Sequence, residues 1–167
     1  MILFHGSYVD ILAPDVKRGR GAVDFGQGFY LTRFREQASD WARVVSKRHR
    51  GAIPTLNTYE FDVDLAKTLA RSRYKIFASY DLEWLNYVVD CRRRGSQQSQ
   101  YDVIEGGVAN DNVIDTVELY ENGDITAEQA LGQLMYKTVN HQLTILSQTI
   151  VDKCLRFVGS EEVSDAS

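Results

Sequence analysis

Strand-like and helix-like patterns follow one another along this chain in an irregular order, and that order constrains the fold most. Apolar or alternating runs predict strands at 1–5, 29–32, 56–64, 101–107, 140–147 and 155–159. Helical spacing predicts helices at 35–48, 81–94 and 126–138, a short helix ending at Tyr120 and capped by Asp111 or Asn112, and a helical turn at 150–153. Residues 8–27 are predicted to form a long loop with one helical turn. Without strict βαβ alternation, the pattern favours an α+β fold.

The length and composition suit one compact domain. The 167 residues are 44% hydrophobic, which supports a core but leaves little room for a second domain. We expect a single domain over 1–158, followed by an acidic tail over 159–167 that is disordered. Two cysteines far apart in sequence, Cys91 and Cys154, are expected to be reduced. No spanning apolar run or signal peptide is visible, so we expect a cytoplasmic protein without membrane contact.

Charge and missing motifs exclude several common function classes. The net charge of -4 argues against broad attraction to nucleic acid, although the arginine run 92–94 leaves a local basic patch open. The chain lacks a phosphate-binding loop and a nucleophile elbow, and its three histidines lack zinc-site spacing, so no metal is expected. The segment GRGAVD begins like a dinucleotide fingerprint but carries Asp24 at its third glycine position. We assign Asp24 a turn-fixing role.

Two N-terminal fragments, with a helical segment that follows them, carry a family resemblance. LFHGS (3–7) is followed by DFGQGFYLT (24–32) and then EQASDWA (36–42). Together they resemble the ADP-ribosyltransferase superfamily, in particular its diphtheria-toxin and poly(ADP-ribose)-polymerase branch. More narrowly, the chain is similar to an uncharacterised bacterial domain family within it, often encoded beside small antitoxin-like proteins. The resemblance implies a split two-sheet core around an NAD cleft, with flanking helices.

The resemblance implies roles at individual positions. His5 would bond a ribose hydroxyl of NAD, the backbone of Gly6 would hold the nicotinamide amide, and Ser7 completes the triplet. Tyr30 would stack on the nicotinamide ring. The remaining positions implied to contact NAD are Arg20, Gly28, Phe29 and Trp41. For Arg20 a diphosphate contact and a solvated loop role stay open, as do stacking and core packing for Trp41. Ala38 replaces a serine that contacts the nicotinamide amide in the polymerases.

The third catalytic position falls on the late strand NHQLTILS. Alternation places Asn140, Gln142 and Thr144 on one face and His141, Leu143 and Ile145 on the other. Three successive polar positions on one face are natural for a cleft wall. The resemblance therefore implies a His5, Tyr30 and Gln142 set, whereas many family members have glutamate at the third position. A surface role for Gln142 stays open.

The glutamine changes the expected chemistry. A carboxylate near a developing cation contributes on the order of 4 kcal/mol at intermediate dielectric. Its loss would slow transfer roughly a thousandfold, unless another acid such as Glu105 compensates. The resemblance thus implies a mono-ADP-ribosyltransferase, a glycosyltransferase-class enzyme moving ADP-ribose from NAD to a protein or nucleic acid. A bacterial toxin-like effector with an antitoxin-like partner fits this interpretation. The alternatives are a weak NAD- or ADP-ribose-binding module acting through a partner, and an NAD glycohydrolase.

Overall fold

The fold is α+β, as predicted, with two sheets. The computed structural model describes residues 1–19, 23–94, 99–110, 113–137 and 139–164. The strands are β1 (Ile2–Ser7), β2 (Phe29–Leu31), β3 (Thr55–Phe61), β4 (Tyr74–Ile76), β5 (Val103–Gly106), β6 (Gln142–Ile145) and β7 (Leu155–Glu162). Within the described residues, the helices are α1 (Arg35–Ser46), α2 (Val63–Ala70), α3 (Leu82–Arg94), α4 (Ile114–Glu121), α5 (Ala127–Leu134) and α6 (Gln148–Cys154). Single 3₁₀ turns occur at Val16–Arg18 and Arg71–Arg73.

The two sheets meet along β1 and β2. Sheet A has the order β1-β3-β7 and is antiparallel throughout, and sheet B has the order β2-β6-β5-β4 with one parallel pair, β4 and β5. Phe4 of β1 exchanges both of its backbone hydrogen bonds with Thr32, just after β2, at 2.8 and 2.9 Å. Beyond this bridge the two strands belong to different sheets, which creates a split between them.

Two large apolar clusters hold the sheets and helices together. One lies between the sheets and joins Leu3 and Tyr59 of sheet A to Phe29, Leu143 and Ile145 of sheet B. The other lies between sheet B and α3 to α5, around the fully buried Trp84 and Ile104. A smaller cluster packs α1 onto the outer face of sheet A. Cys91 and Cys154 are not joined in a disulfide, as predicted.

The structure corrects three parts of the sequence prediction. The predicted strand 56–64 ends at Phe61, because Asp62 caps a helix, α2, that the pattern did not indicate. The sequence pattern does not indicate strand β4 either. Residues 159–162 are not a disordered tail, because they continue β7 and pair with β3. The predicted cap of α4 at Asp111 or Asn112 lies outside the described residues.

Candidate functional site

His5 is fixed at the point where β1 and β2 separate. Its Nδ1 lies 2.6 Å from the backbone carbonyl of Tyr30, and its ring stacks on Phe29 with centroids 4.4 Å apart. Because a carbonyl only accepts, Nδ1 carries the proton, and Nε2 keeps a lone pair when the ring is neutral. Burial lowers the pKa of His5, and the bond to Tyr30 only partly opposes this. The ring therefore offers a hydrogen-bond acceptor at neutral pH.

Gly6 lies under helix α1, where the chain comes very close. A Cβ on Gly6 would sit 2.1 Å from the Ala38 carbonyl oxygen and 2.7 Å from the Ala42 nitrogen. Phe4 directs its backbone amide and carbonyl toward Thr32. Because residues two apart along a strand direct these groups to the same side, the Gly6 amide and carbonyl face the same edge of β1. The backbone of Gly6 thus faces the split between the sheets, as the predicted role requires. Ser7 is buried beside it.

Tyr30 is anchored by its hydroxyl to the preceding turn. The hydroxyl donates to the Gly26 carbonyl at 2.6 Å and accepts from the Phe25 amide at 3.1 Å. Gly26 adopts φ +88°, a left-handed conformation that glycine favours. The ring packs beside the cluster between sheet B and α3 to α5, whereas Phe29 points to the opposite face. His5 therefore meets the backbone of Tyr30 rather than its ring.

Gly28, directly before β2, packs closely against β6. A Cβ there would lie 2.7 Å from the Ile145 carbonyl oxygen and 2.9 Å from the Thr144 side chain. Its backbone carbonyl also approaches Gly19 so closely that a Cβ on Gly19 would lie 2.2 Å away. Gly28 is thus required by close chain packing. The Arg20 side chain, predicted to contact the diphosphate, lies outside the described residues.

Gln142 begins β6 and shares a face with Tyr30. Tyr30 pairs with Thr144, two residues further along the same strand face. The side chain of Gln142 is only 6% exposed, so the surface interpretation is wrong. Its Nε2 donates to the Gly107 carbonyl at 3.4 Å. Gln142 is therefore a buried polar residue on the same face of sheet B as Tyr30, and its side-chain amide bonds the Gly107 carbonyl.

Asp24 is buried directly before Phe25, whose amide bonds the Tyr30 hydroxyl, which the sequence did not indicate. Its carboxylate accepts from the Ala109 amide at 2.8 Å and lies 3.2 Å from Nη1 of Arg92. Burial raises the pKa of Asp24, against the opposing effects of these partners. Asp24 is thus a buried ionisable group bonded to two distant segments of the chain, and not only a turn former. The 68 residues between Asp24 and Arg92 hide this pair from local sequence patterns.

The arginine run is largely engaged by acidic residues. Arg92 also lies 3.7 Å from Glu118 and 3.9 Å from Glu121, and Arg93 lies 3.8 Å from Glu121. These contacts compete with any phosphate that would approach α3.

Trp41 lies on the exposed side of α1. It is 44% exposed, so the core-packing interpretation is wrong, and the guanidinium of Arg48 sits over its ring at 5.4 Å. From the same helix, Nε2 of Gln37 donates to the carbonyl of His141 at 2.9 Å. Helix α1 is therefore tied to the residue just before Gln142.

Glu105 does not share the face of Gln142. It pairs with Leu143 across β5 and β6, and its carboxylate lies 2.8 Å from Nε2 of His141. The hydrogen bond from His141 lowers the pKa of Glu105, which keeps it ionised. Nδ1 of His141 accepts from the Arg33 amide at 3.1 Å. Glu105 therefore bonds His141 on the face of sheet B opposite to Gln142.

A family model described as "Protein of unknown function (DUF3990)" matches residues 1–157. The chain belongs to this family. The match covers His5, Tyr30 and Gln142, so all three predicted catalytic residues lie within the DUF3990 domain. No curated protein and no solved structure gives a significant match to the chain.

Neither a metal centre nor a membrane span is evident in the described part of this DUF3990 chain. Among its described residues, no three or more His, Cys, Asp or Glu side chains are grouped so that they could hold a metal ion. In the same ranges, every helix is too short or too polar to cross a membrane.

Proposed function

We propose that this chain is a mono-ADP-ribosyltransferase that moves ADP-ribose from NAD to a macromolecular acceptor. The observation that carries the proposal is the hydrogen bond from Nδ1 of His5 to the Tyr30 carbonyl. It joins the His-Gly-Ser strand to the glycine-rich aromatic strand at the split between two sheets. These are the two segments on which the resemblance to ADP-ribosyltransferases rests.

The proposed reaction breaks the bond between nicotinamide and ribose. The bond between the nicotinamide nitrogen and ribose C1′ cleaves, and its electron pair returns to the ring, so nicotinamide leaves neutral. An acceptor nucleophile then bonds to C1′ and releases its proton to solvent. Positive charge develops on the sugar, as in glycoside cleavage. The protein must therefore hold the ring, fix the ribose and stabilise this charge.

The residues of the site suit the first two tasks. The Nε2 lone pair of His5 can accept a hydrogen bond from a ribose hydroxyl. The backbone of Gly6 can bond the nicotinamide amide along the open edge of β1, and Tyr30 and the exposed Trp41 offer aromatic faces to a cationic ring. Under this proposal the two sheets form an ADP-ribosyltransferase core, and the NAD cleft runs along their split.

Stabilisation of the positive charge on the ribose distinguishes the transferase proposal from the second candidate function. Gln142 can bond a ribose hydroxyl but carries no charge, so transfer is slow and long polymers do not form. If the charge is not supplied at all, the same site serves a module that binds NAD or ADP-ribose and acts through a partner protein. The buried, hydrogen-bonded amide of Gln142 favours this as the second candidate.

Labelled NAD tests the transferase proposal. Purified protein incubated with NAD and cell lysate is expected to label one or a few macromolecules and to release nicotinamide. His5→Ala and Tyr30→Ala should each abolish labelling. The matched controls are His49→Ala and Tyr136→Ala, because both side chains are exposed and neither belongs to the proposed site.

Treatment of the labelled product with protease or nuclease then identifies the acceptor class. The ion pairs of Arg92 and Arg93 favour a protein acceptor. Label that persists in both site variants would remove the proposed site. NAD binding by calorimetry without nicotinamide release would favour the binding module, and absence of both would end the proposal.

A further inference from the structure

His141 lies directly before Gln142, at a point where several segments of the chain meet. Its Nδ1 accepts from the Arg33 amide at 3.1 Å, and its Nε2 lies 2.8 Å from the Glu105 carboxylate. Its backbone carbonyl accepts from Nε2 of Gln37 at 2.9 Å. The residue is 5% exposed, so these bonds are shielded from competing water.

These bonds fix one tautomer of the ring. A backbone amide only donates, so Nδ1 of His141 accepts and carries no proton while it is bonded to Arg33. The ring proton therefore lies on Nε2, which donates to Glu105. His5 has the opposite tautomer, because its Nδ1 donates to the Tyr30 carbonyl. The two histidines can thus be distinguished by the ring nitrogen that carries hydrogen.

A hydrogen-bonded link connects β1 to His141. Phe4 of β1 bonds Thr32 through both of its backbone groups, and the next residue, Arg33, donates its amide to the imidazole. The pairing of β2 with β6 ends at Leu31, so the imidazole rather than strand pairing makes the last connection. The link therefore runs from sheet A across the end of β2 to the start of β6.

A second link reaches the same residue through α1. The helix lies directly on Gly6 of β1, where a Cβ would meet the Ala38 carbonyl oxygen at 2.1 Å. The residue before Ala38 is Gln37, which donates to the His141 carbonyl. Because both links end at residue 141, its position sets the distance between β1 and Gln142.

We propose that His141 is a positioning residue that holds Gln142 at a fixed distance from His5 across the split between the sheets. The inference rests on the proposed function for its ligand, NAD. The proposed contacts on β1 and β2 would hold the dinucleotide, whereas Gln142 on β6 would contact the ribose where positive charge develops. Displacement of the start of β6 should therefore slow bond cleavage while NAD binding is retained.

Two substitutions of His141 separate its side-chain bonds. In His141→Asn the introduced Oδ1 takes the place of Nδ1 and accepts from the Arg33 amide, but the bond to Glu105 is lost. In His141→Gln the introduced Nε2 takes the place of the ring Nε2 and donates to Glu105, but the link to Arg33 is lost. Only His141→Gln should therefore displace Gln142. The same two substitutions at His49, which is exposed beyond the end of α1, are the matched controls.

Heteronuclear NMR of the full-length protein tests this geometry without NAD. The ring proton should be found on Nε2 of His141 and on Nδ1 of His5. The side-chain amide resonance of Gln142, identified by its loss in Gln142→Ala, should shift clearly further in His141→Gln than in His141→Asn. A proton on Nδ1 of His141, or equal shifts in the two variants, would overturn the proposal.

Nicotinamide release and NAD calorimetry test the positioning role. The kcat should fall about tenfold or more in His141→Gln and less than about threefold in His141→Asn, because misplacement by a fraction of an ångström is costly only where the link is cut. The NAD Kd of both variants should stay close to the wild-type value. Equal losses of kcat, or a loss of NAD affinity that parallels them, would overturn the proposal.

Two further outcomes are decided by the same measurements. If His141→Gln does not fold, Gln37→Met cuts the second link at similar side-chain volume and should lower kcat, and an unchanged kcat would overturn the proposal. If the wild type releases no nicotinamide but the Gln142 resonance shifts as expected, the transferase function is refuted and the link from His141 to Gln142 stands.

Discussion

At the scale of single residues, His5 shows how the surroundings select a protonation state. Its folded pKa lies below the ordinary value of 6.5, mainly because of burial. The unfolded chain therefore binds a proton more readily than the folded chain between these two values. Stability from neutral His5 is present above pH 6.5 and is lost as the pH falls toward the folded pKa.

The loss of this stability at low pH leads to a testable prediction. His5→Asn removes the titrating ring, so its deficit in unfolding free energy relative to wild type should shrink as the pH falls. The deficit is expected to narrow between about pH 7 and about pH 5.5, because the unfolded chain takes up a proton there that the buried ring of the folded chain resists. Urea unfolding of both proteins across this range measures it. A deficit that grows toward low pH would contradict the assignment.

Gly6 carries a packing role that sequence resemblance does not indicate. Its hydrogen is the only substituent that fits below the backbone of α1, where a Cβ would meet the Ala38 oxygen at 2.1 Å. Gly6→Ala should therefore reduce the unfolding free energy by about 1–3 kcal/mol. Gly132→Ala, in the exposed face of α5 with open space around it, is the matched control and should stabilise by roughly 0.5–1 kcal/mol. Equal effects in the two variants would contradict this packing account.

The candidate site was predictable where its signals are local. His5, Gly6 and Tyr30 sit in short segments whose residue types belong together, and the structure joins His5 to Tyr30 directly. Asp24 was interpretable only as a turn residue, because its partners Arg92 and Ala109 lie far along the chain. Exposure of Trp41 also depended on tertiary packing: its helical face has apolar neighbours, but α1 meets sheet A through Ala38 and Ala42.

At the scale of elements, α2 shows how a cap can override a strand pattern. The alternation of LNTYEF continues into Asp62 and Val63, so periodicity alone extends the strand. In the structure the Asp62 side chain accepts from the Leu65 amide at 3.0 Å, and its backbone amide bonds the Cys154 carbonyl. These bonds end β3 and start a helix that buries Ala66 and Ala70.

Removal of this cap should be measurable. Asp62→Ala is expected to reduce the unfolding free energy by about 1 kcal/mol, because one helix N–H loses its acceptor. Asp62→Asn keeps a capping oxygen and should stay close to wild type. Thermal or urea unfolding of the three proteins makes the comparison. An Asn variant as unstable as the Ala variant would assign the effect to charge rather than to the cap.

At the scale of the whole molecule, the order of strands and helices predicted the α+β class. It could not predict which strands pair with one another. Strand β6 lies between β2 and β5, although it is far from β2 along the chain. Strand β4 has three residues and lies at the edge of sheet B, so its periodicity is too short to be distinctive. The end of β7 carries Gly159, Ser160, Glu161 and Glu162, a composition typical of a tail, and becomes a strand only because β3 offers it a partner.

That partnership makes the end of β7 part of the domain. Residues 159–162 pair with Thr55–Thr58, the Val163 amide bonds the Pro54 carbonyl at 2.8 Å, and Val163 packs with Leu56 beneath α1. A chain ending at residue 158 should therefore lose about 2–4 kcal/mol of unfolding free energy, from one buried valine and the lost strand pairing. A chain ending at residue 164 keeps these contacts and is the control. Equal urea midpoints for the two chains would show that β3 and α1 hold together without this strand end, and a lower midpoint only for the shorter chain would place the domain boundary after Val163.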